Sequence, residues 1–103
     1  MKLQFTEQAL KDLQEIRAYL SPQSMSGAEH VRLAIASTVD LLTQFPGIAR
    51  DTDINDIRVI SVVNYPYLIY HLRSKKEIVI IHIRHTSQNA PSLNDFRRQP
   101  LSH

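Results

Sequence analysis

The hydrophobic period of this chain changes once, and that change limits the possible folds more than any other feature. Up to about residue 45, apolar residues recur every three or four positions, the spacing of one helical face. From Ile57 onward they form short β-branched blocks, the pattern of strands. Helices grouped ahead of strands do not build alternating βαβ units. They segregate into the two layers of an α+β domain.

The elements can be placed residue by residue. Residues 2–5 suit a short strand. Thr6 reads as a helix N-cap with Glu7 in the first turn, where the helix dipole favours negative charge. Phe5 and Leu10 occupy the two positions of a hydrophobic staple. Ala9, Leu13, Ile16 and Leu20 form one face, from which Lys11, Asp12 and Glu15 are expected to fall away, and Ser21-Pro22 ends the helix. Ser26 and Glu29 have the spacing of a capping box that would open a second helix. Its apolar stripe is Val31, Ile35, Thr38, Leu42 and Phe45, widened by Ala34, Val39 and Leu41, and Pro46-Gly47 stops it. About 19 residues span roughly 28 Å as a helix. The connection of about five residues predicts an antiparallel helical hairpin.

Three strands follow, at 57–63, 67–73 and 78–84, with Asn64-Tyr65-Pro66 between the first two. If Lys75-Lys76 is the turn of the last hairpin, Leu72 faces Val79, Tyr70 faces Ile81 and Leu68 faces Ile83. That apolar face is expected to cover the helices. The opposite face would carry Tyr67, His71, Arg73, His82 and Arg84 among isoleucines. The expected order is therefore β-α-α-β-β-β, a helical hairpin on one face of an antiparallel sheet. A short basic tail begins at about residue 92.

At 103 residues the chain is expected to form a single domain. With no cysteine it can have neither disulfides nor thiolate chemistry. No apolar signal core or membrane span is evident, which points to the cytoplasm. Residues 1–49 hold four basic and five acidic side chains, and residues 50–103 hold eight and five, so the net charges are −1 and +3. A basic second half suits an anionic partner, though a solvated surface would read the same way.

Several stretches resemble a known family. They are Ala9-x-x-Asp12-Leu13-x-x-Ile16-x-x-Tyr19 in the first helix, and Leu42-x-x-Phe45-Pro46 followed by Arg50. Arg58, Tyr67-Leu68-Ile69-Tyr70 and Ile78-x-Ile80-x-x-Ile83-Arg84-His85 complete the set. In this order, over about residues 3–91, they resemble the RelE/ParE toxin superfamily, closer to its ParE branch. The resemblance implies a growth-inhibiting toxin of a type II toxin–antitoxin system, neutralised by a cognate antitoxin that wraps its exposed grooves. For the ParE branch it implies inhibition of DNA gyrase or a similar topoisomerase by binding. For the RelE branch it implies ribosome-dependent cleavage of mRNA. The family commonly has an arginine three residues after the histidine, where this chain has Gln88. The ribonuclease branch also uses lysines and a base near the C-terminus. This chain has no lysine in 46–57 and no tyrosine after Tyr70.

Candidate site residues follow from chemistry. Metal-free RNA cleavage needs cations on the phosphate and a group that exchanges protons. Arg58, Arg84 and His85 could form that set. Equally, His85 could cap the sheet end by hydrogen bonds, and Arg58 could pair with Asp51, Asp53 or Asp56. For target binding the candidates are Arg50, Arg58, Tyr67, Arg73, Arg84, Arg97 and Arg98. Among the tyrosines Tyr67 is expected to be the exposed one, with Tyr70 in the core. No metal or cofactor is expected. On a strand, His82 and His85 should lie on opposite faces, and His30 stands alone on a helix. A third possibility is a family member that keeps the fold as an interaction module without toxicity.

Overall fold

The computed structural model describes residues 2–88. Strand β1 (Lys2–Phe5) leads into helix α1 (Glu7–Leu20), and helix α2 (Met25–Gln44) returns alongside it. A 3-10 turn (Pro46–Ile48) precedes the two-residue strand β2 (Arg50–Asp51), which is followed by β3 (Ile57–Ser61), β4 (Tyr67–Arg73) and β5 (Glu77–His85). The five strands form one sheet in the order β1-β5-β4-β3-β2. The architecture is the expected α+β one. The sheet is mixed rather than wholly antiparallel, because β1 pairs with β5 in parallel. The helical hairpin between β1 and the later strands is the crossover that such a parallel pair requires. Among the described residues no helix is long and apolar enough to cross a membrane.

Helix α1 starts as its sequence dictates. Thr6 takes an extended conformation, and its hydroxyl oxygen accepts the Ala9 N–H. Helix α2 starts earlier than the Ser26–Glu29 spacing suggests. Ser24 is the N-cap and accepts the Gly27 N–H at 2.9 Å. A Cβ at Gly27 would lie 3.1 Å from Ser24 Oγ, so the glycine admits the cap. Glu29, freed from the cap, is paired with Arg32, whose hydrogen bond holds the Glu29 carboxyl below its usual pKa. At the other end Phe45 leaves the helical conformation as C-cap, which turns its ring out of the expected stripe to 56% exposure.

The sheet hairpin differs from the expected register in an instructive way. Arg73↔Ile78, Leu72↔Val79 and His71↔Ile80 are as expected. A bulge between Tyr70 and His71 then shifts the pairing, so that Tyr70 meets His82, Leu68 meets Arg84 and Tyr67 meets His85. The face against the helices is also the opposite of the expected one. Tyr67, Ile69, Ile78, Ile80 and Ile83 form the core with Ala9, Val31, Ile35, Val39 and Leu42. Tyr70, Val79 and Ile81 instead join Ile57 and Val59 in a second cluster, with Ile54 and Leu68 beside it. Both faces of the hairpin are bulky and apolar, so hydrophobicity alone does not choose between them. The parallel partner does. Leu3 pairs with Ile78 and Phe5 with Ile80, so the face that carries β1's apolar side chains beneath α1 is the Ile78/Ile80 face. His71, expected on the open face, is consequently fully buried. Leu42, Ile69, Ile78 and Ile80 are fully buried as well, each contributing roughly 1.5–3 kcal/mol by leaving water.

Candidate functional site

Strand β1 covers β5 only as far as Ile80, and beyond that point the outer edge of β5 is sealed by side chains. The Thr6 hydroxyl donates to Ile81 C=O at 3.0 Å, and the Ile83 N–H donates to Asp12 Oδ2 at 3.0 Å. The same carboxylate oxygen accepts His82 Nδ1–H at 3.0 Å, and Gln8 Nε2 donates to Asp12 Oδ1 at 2.9 Å. At the strand end, the His85 N–H donates to Gln88 Oε1 at 2.8 Å. Asp12, expected on the solvent side of α1, is therefore buried. Its place one helical turn from Ala9 and Ile16 points it at this edge, where the carboxylate meets an N–H that none of the described strands supplies for. Periodicity read it as surface because it is charged.

A cleft of about 550 Å³ opens along this seam. Helix α1 supplies Gln8, Asp12, Glu15, Ile16 and Tyr19 to one wall, and β5 supplies His82, Ile83, Arg84 and His85. Tyr67, Ser87 and Gln88 complete it. His82 pairs with Tyr70 and His85 with Tyr67, which lie on opposite faces of the sheet as the spacing of the two histidines predicts. Both histidines line the one cleft because it opens along the edge of β5. Tyr67 and His85 meet edge to face, with centroids 5.4 Å apart and planes at 87°. Tyr67 is 6% exposed, a correction to its expected open position that follows from the exchange of faces. Burial pushes its phenol pKa above the ordinary value, and the neighbouring Tyr19 adds to the effect. Tyr19 itself is 70% exposed at the mouth.

His85 has the capping role that the sequence left open. Its Nδ1 accepts the Ser87 N–H at 3.0 Å and lies 2.7 Å from Ser87 Oγ. A backbone N–H can only donate, so Nδ1 is unprotonated and the ring hydrogen sits on Nε2.

The remaining candidates scatter. Arg58 Nε pairs with Asp51 at 3.2 Å, one of the three carboxylates proposed for it. Arg50 is exposed on the edge strand β2, opposite Val59. Arg73 lies in β4 opposite Ile78. Arg97 and Arg98 lie outside the described residues. Arg58 is level with Ile80 through His71, two strands from β5. Arg84 is four residues further along β5, which separates the two by roughly 16 Å at ordinary strand spacings. The ribonuclease set of Arg58, Arg84 and His85 is therefore not one site, while Tyr67, Arg84 and His85 share the cleft. Sequence reasoning missed Asp12, His82 and Tyr19. Asp12 and Tyr19 stand in the first-helix pattern, but nothing local marks them as facing β5.

Comparison with known proteins agrees with the fold. The family model described as the ParE toxin of the type II toxin–antitoxin system parDE matches residues 3–90. A relative named "Putative toxin Y4kP" from Sinorhizobium fredii is 28% identical over 92 residues, covering 89% of this chain and 95% of its own. A solved structure of the chromosomal ParDE toxin–antitoxin system from P. aeruginosa superposes with a TM-score of 0.73 at 25% identity. It covers 82% of this chain and 95% of the matched one. With its two helices laid over a five-stranded mixed sheet and a match along nearly its whole length, the chain belongs to the ParE toxin family of type II toxin–antitoxin systems.

Proposed function

We propose that this toxin stops growth in the cytoplasm by binding DNA gyrase or a similar topoisomerase, and that a cognate antitoxin neutralises it. The mechanism is one of occupancy rather than bond cleavage by the toxin. The observation that carries this reading is the pairing of Arg58 with Asp51, well away from Arg84 and His85. Phosphoryl transfer from RNA needs those charges on a single phosphate. The Ser87 bonds to His85 Nδ1 add support, since they assign that nitrogen to holding the strand end. The basic second half, including Arg84, Arg97 and Arg98, is the part we assign to the target.

A supercoiling assay with purified toxin and gyrase tests the reading, scored for lost supercoiling and for trapped cleaved DNA. Inhibition reversed by the antitoxin is the expected result. Undisturbed supercoiling by folded toxin, together with ribosome-dependent mRNA cleavage, would replace it with the RelE-type activity.

A further inference from the structure

The sheet is apolar on both faces, and the helices cover only one of them. Ile57 and Val59 of β3, Tyr70 of β4, and Val79 and Ile81 of β5 gather on the other. Each of the five is only 4–8% exposed. Among the described residues, the apolar side chains packed against them are Ile54, from the loop before β3, and Leu68 of β4 itself. Leu72 shows what flanking strands leave open. It lies on the same face, between Ile57 and Val79, and is 37% exposed. The deeper burial of the other five needs a further layer, because an apolar sheet face is kept from water by another element packed on it. We propose that this layer is the chain's own C-terminal segment, residues 89–103, seated through Leu93 and Phe96.

The cover belongs to the chain itself, since the five residues are buried in a lone copy. The segment also starts in the right place. Strand β5 ends at His85, and the Gln88 N–H bonds back to the His85 carbonyl there. From that point to the middle of β3 is roughly 17 Å at ordinary strand spacings. The stretch from Gln88 to Phe96 spans up to about 26 Å when extended. Composition fits as well. Leu93 and Phe96 are large, apolar and three positions apart, the spacing at which two side chains of a helical turn meet one surface. Asp95, the segment's one acidic side chain, stands between them, and the exposed Arg50 borders the face opposite Val59. Seated this way, the segment presents Arg97 and Arg98 from a fixed place, which lowers the entropy lost when they meet a target. That consequence rests on the proposed function, whereas the seating does not.

Cysteine labelling of the full chain tests the seating, because the chain has no cysteine of its own and buried thiols are inert. Val79→Cys is expected to react with a thiol reagent about as slowly as Val39→Cys, which lies in the core beneath the helices. Leu72→Cys, on the same face as Val79, should react about tenfold faster or more. Adding Leu93→Asp and Phe96→Asp should speed Val79→Cys about tenfold while Val39→Cys stays slow, which shows the domain still folded. The milder Phe96→Ala gives the same selective rise at smaller size, and Ser92→Asp gives none. Val79→Cys as reactive as Leu72→Cys in the otherwise unchanged chain overturns the proposal, as does a slow rate indifferent to Leu93→Asp and Phe96→Asp. A rate that rises on dilution overturns it too, and assigns the cover to a second copy. None of these readouts depends on the gyrase assay.

Discussion

The backbone N–H of Ile83 donates to the carboxylate of Asp12 across 71 positions of the chain, at 3.0 Å. One side chain of α1 thereby does for the last strand what a neighbouring strand would otherwise do. It also holds His82 at the same oxygen.

Removing that carboxylate takes a partner from a buried N–H and from a buried imidazole together. Asp12→Ala is expected to lower unfolding stability by about 3 kcal/mol, the size seen when one member of a buried pair is deleted. Urea unfolding measures it. A loss below about 1 kcal/mol would mean that water satisfies the edge as well as Asp12 does.

The register beyond the bulge can be read chemically, because the chain has no cysteine of its own. Leu68→Cys with Arg84→Cys is expected to form a disulfide on mild oxidation, since those residues are paired. Leu68→Cys with Ile83→Cys should stay reduced, the two side chains lying on opposite faces. The reverse pattern would restore the unbulged register.

Tyr67 gives a pH signature. Its phenol pKa is raised by burial, so the folded state holds the proton more tightly than the unfolded chain. The stability due to the neutral phenol is fully present below the ordinary tyrosine range of about 10 and declines as pH rises toward the folded-state value. Chemical unfolding at a series of alkaline pH values should show a shallower decline in Tyr67→Phe than in the parent. Parallel curves would show that the phenol ionises as freely folded as unfolded.

Two toxicity experiments bear on the mechanism. His85→Gln is expected to remain toxic when expressed without antitoxin, because the binding to gyrase proposed above asks no proton transfer of it. Loss of toxicity in a folded His85→Gln protein would return the histidine to catalysis. Truncation after Pro91, which removes Arg97 and Arg98, should abolish toxicity while a pull-down still recovers the antitoxin. Full toxicity of the truncated chain would free the tail of that role.

Much of this architecture was legible in the sequence, and its failures share a cause. Thr6, the apolar face of α1 and the stops of the two helices before Pro22 and Pro46 are local features, fixed by neighbours within a turn or two. The choice of sheet face is not local. Residues 67–73 and 78–83 are apolar on both sides, and only the parallel pairing of Leu3 and Phe5 with Ile78 and Ile80 decides which side meets the helices. The same non-locality hid Asp12, whose partners lie in β5. Periodicity treats every charge as a solvent-facing group, which holds unless a distant strand has an unpaired edge. His85 was read correctly as a possible cap, because Ser87 and Gln88 lie within three residues of it.

The seal along β5 also governs how the sheet can grow. Vacant strand rims recruit foreign strands, and fibrils elongate by that route. On β5 the outward groups of Ile81, Ile83 and His85 are held by the Thr6 hydroxyl, the Asp12 carboxylate and the Gln88 amide. At the far margin, β2 offers a foothold of two residues. Among the described residues, chain-to-chain templating is thereby left to the outer rim of β1, four residues long, and to that short far margin, so self-propagating polymers have little there on which to start.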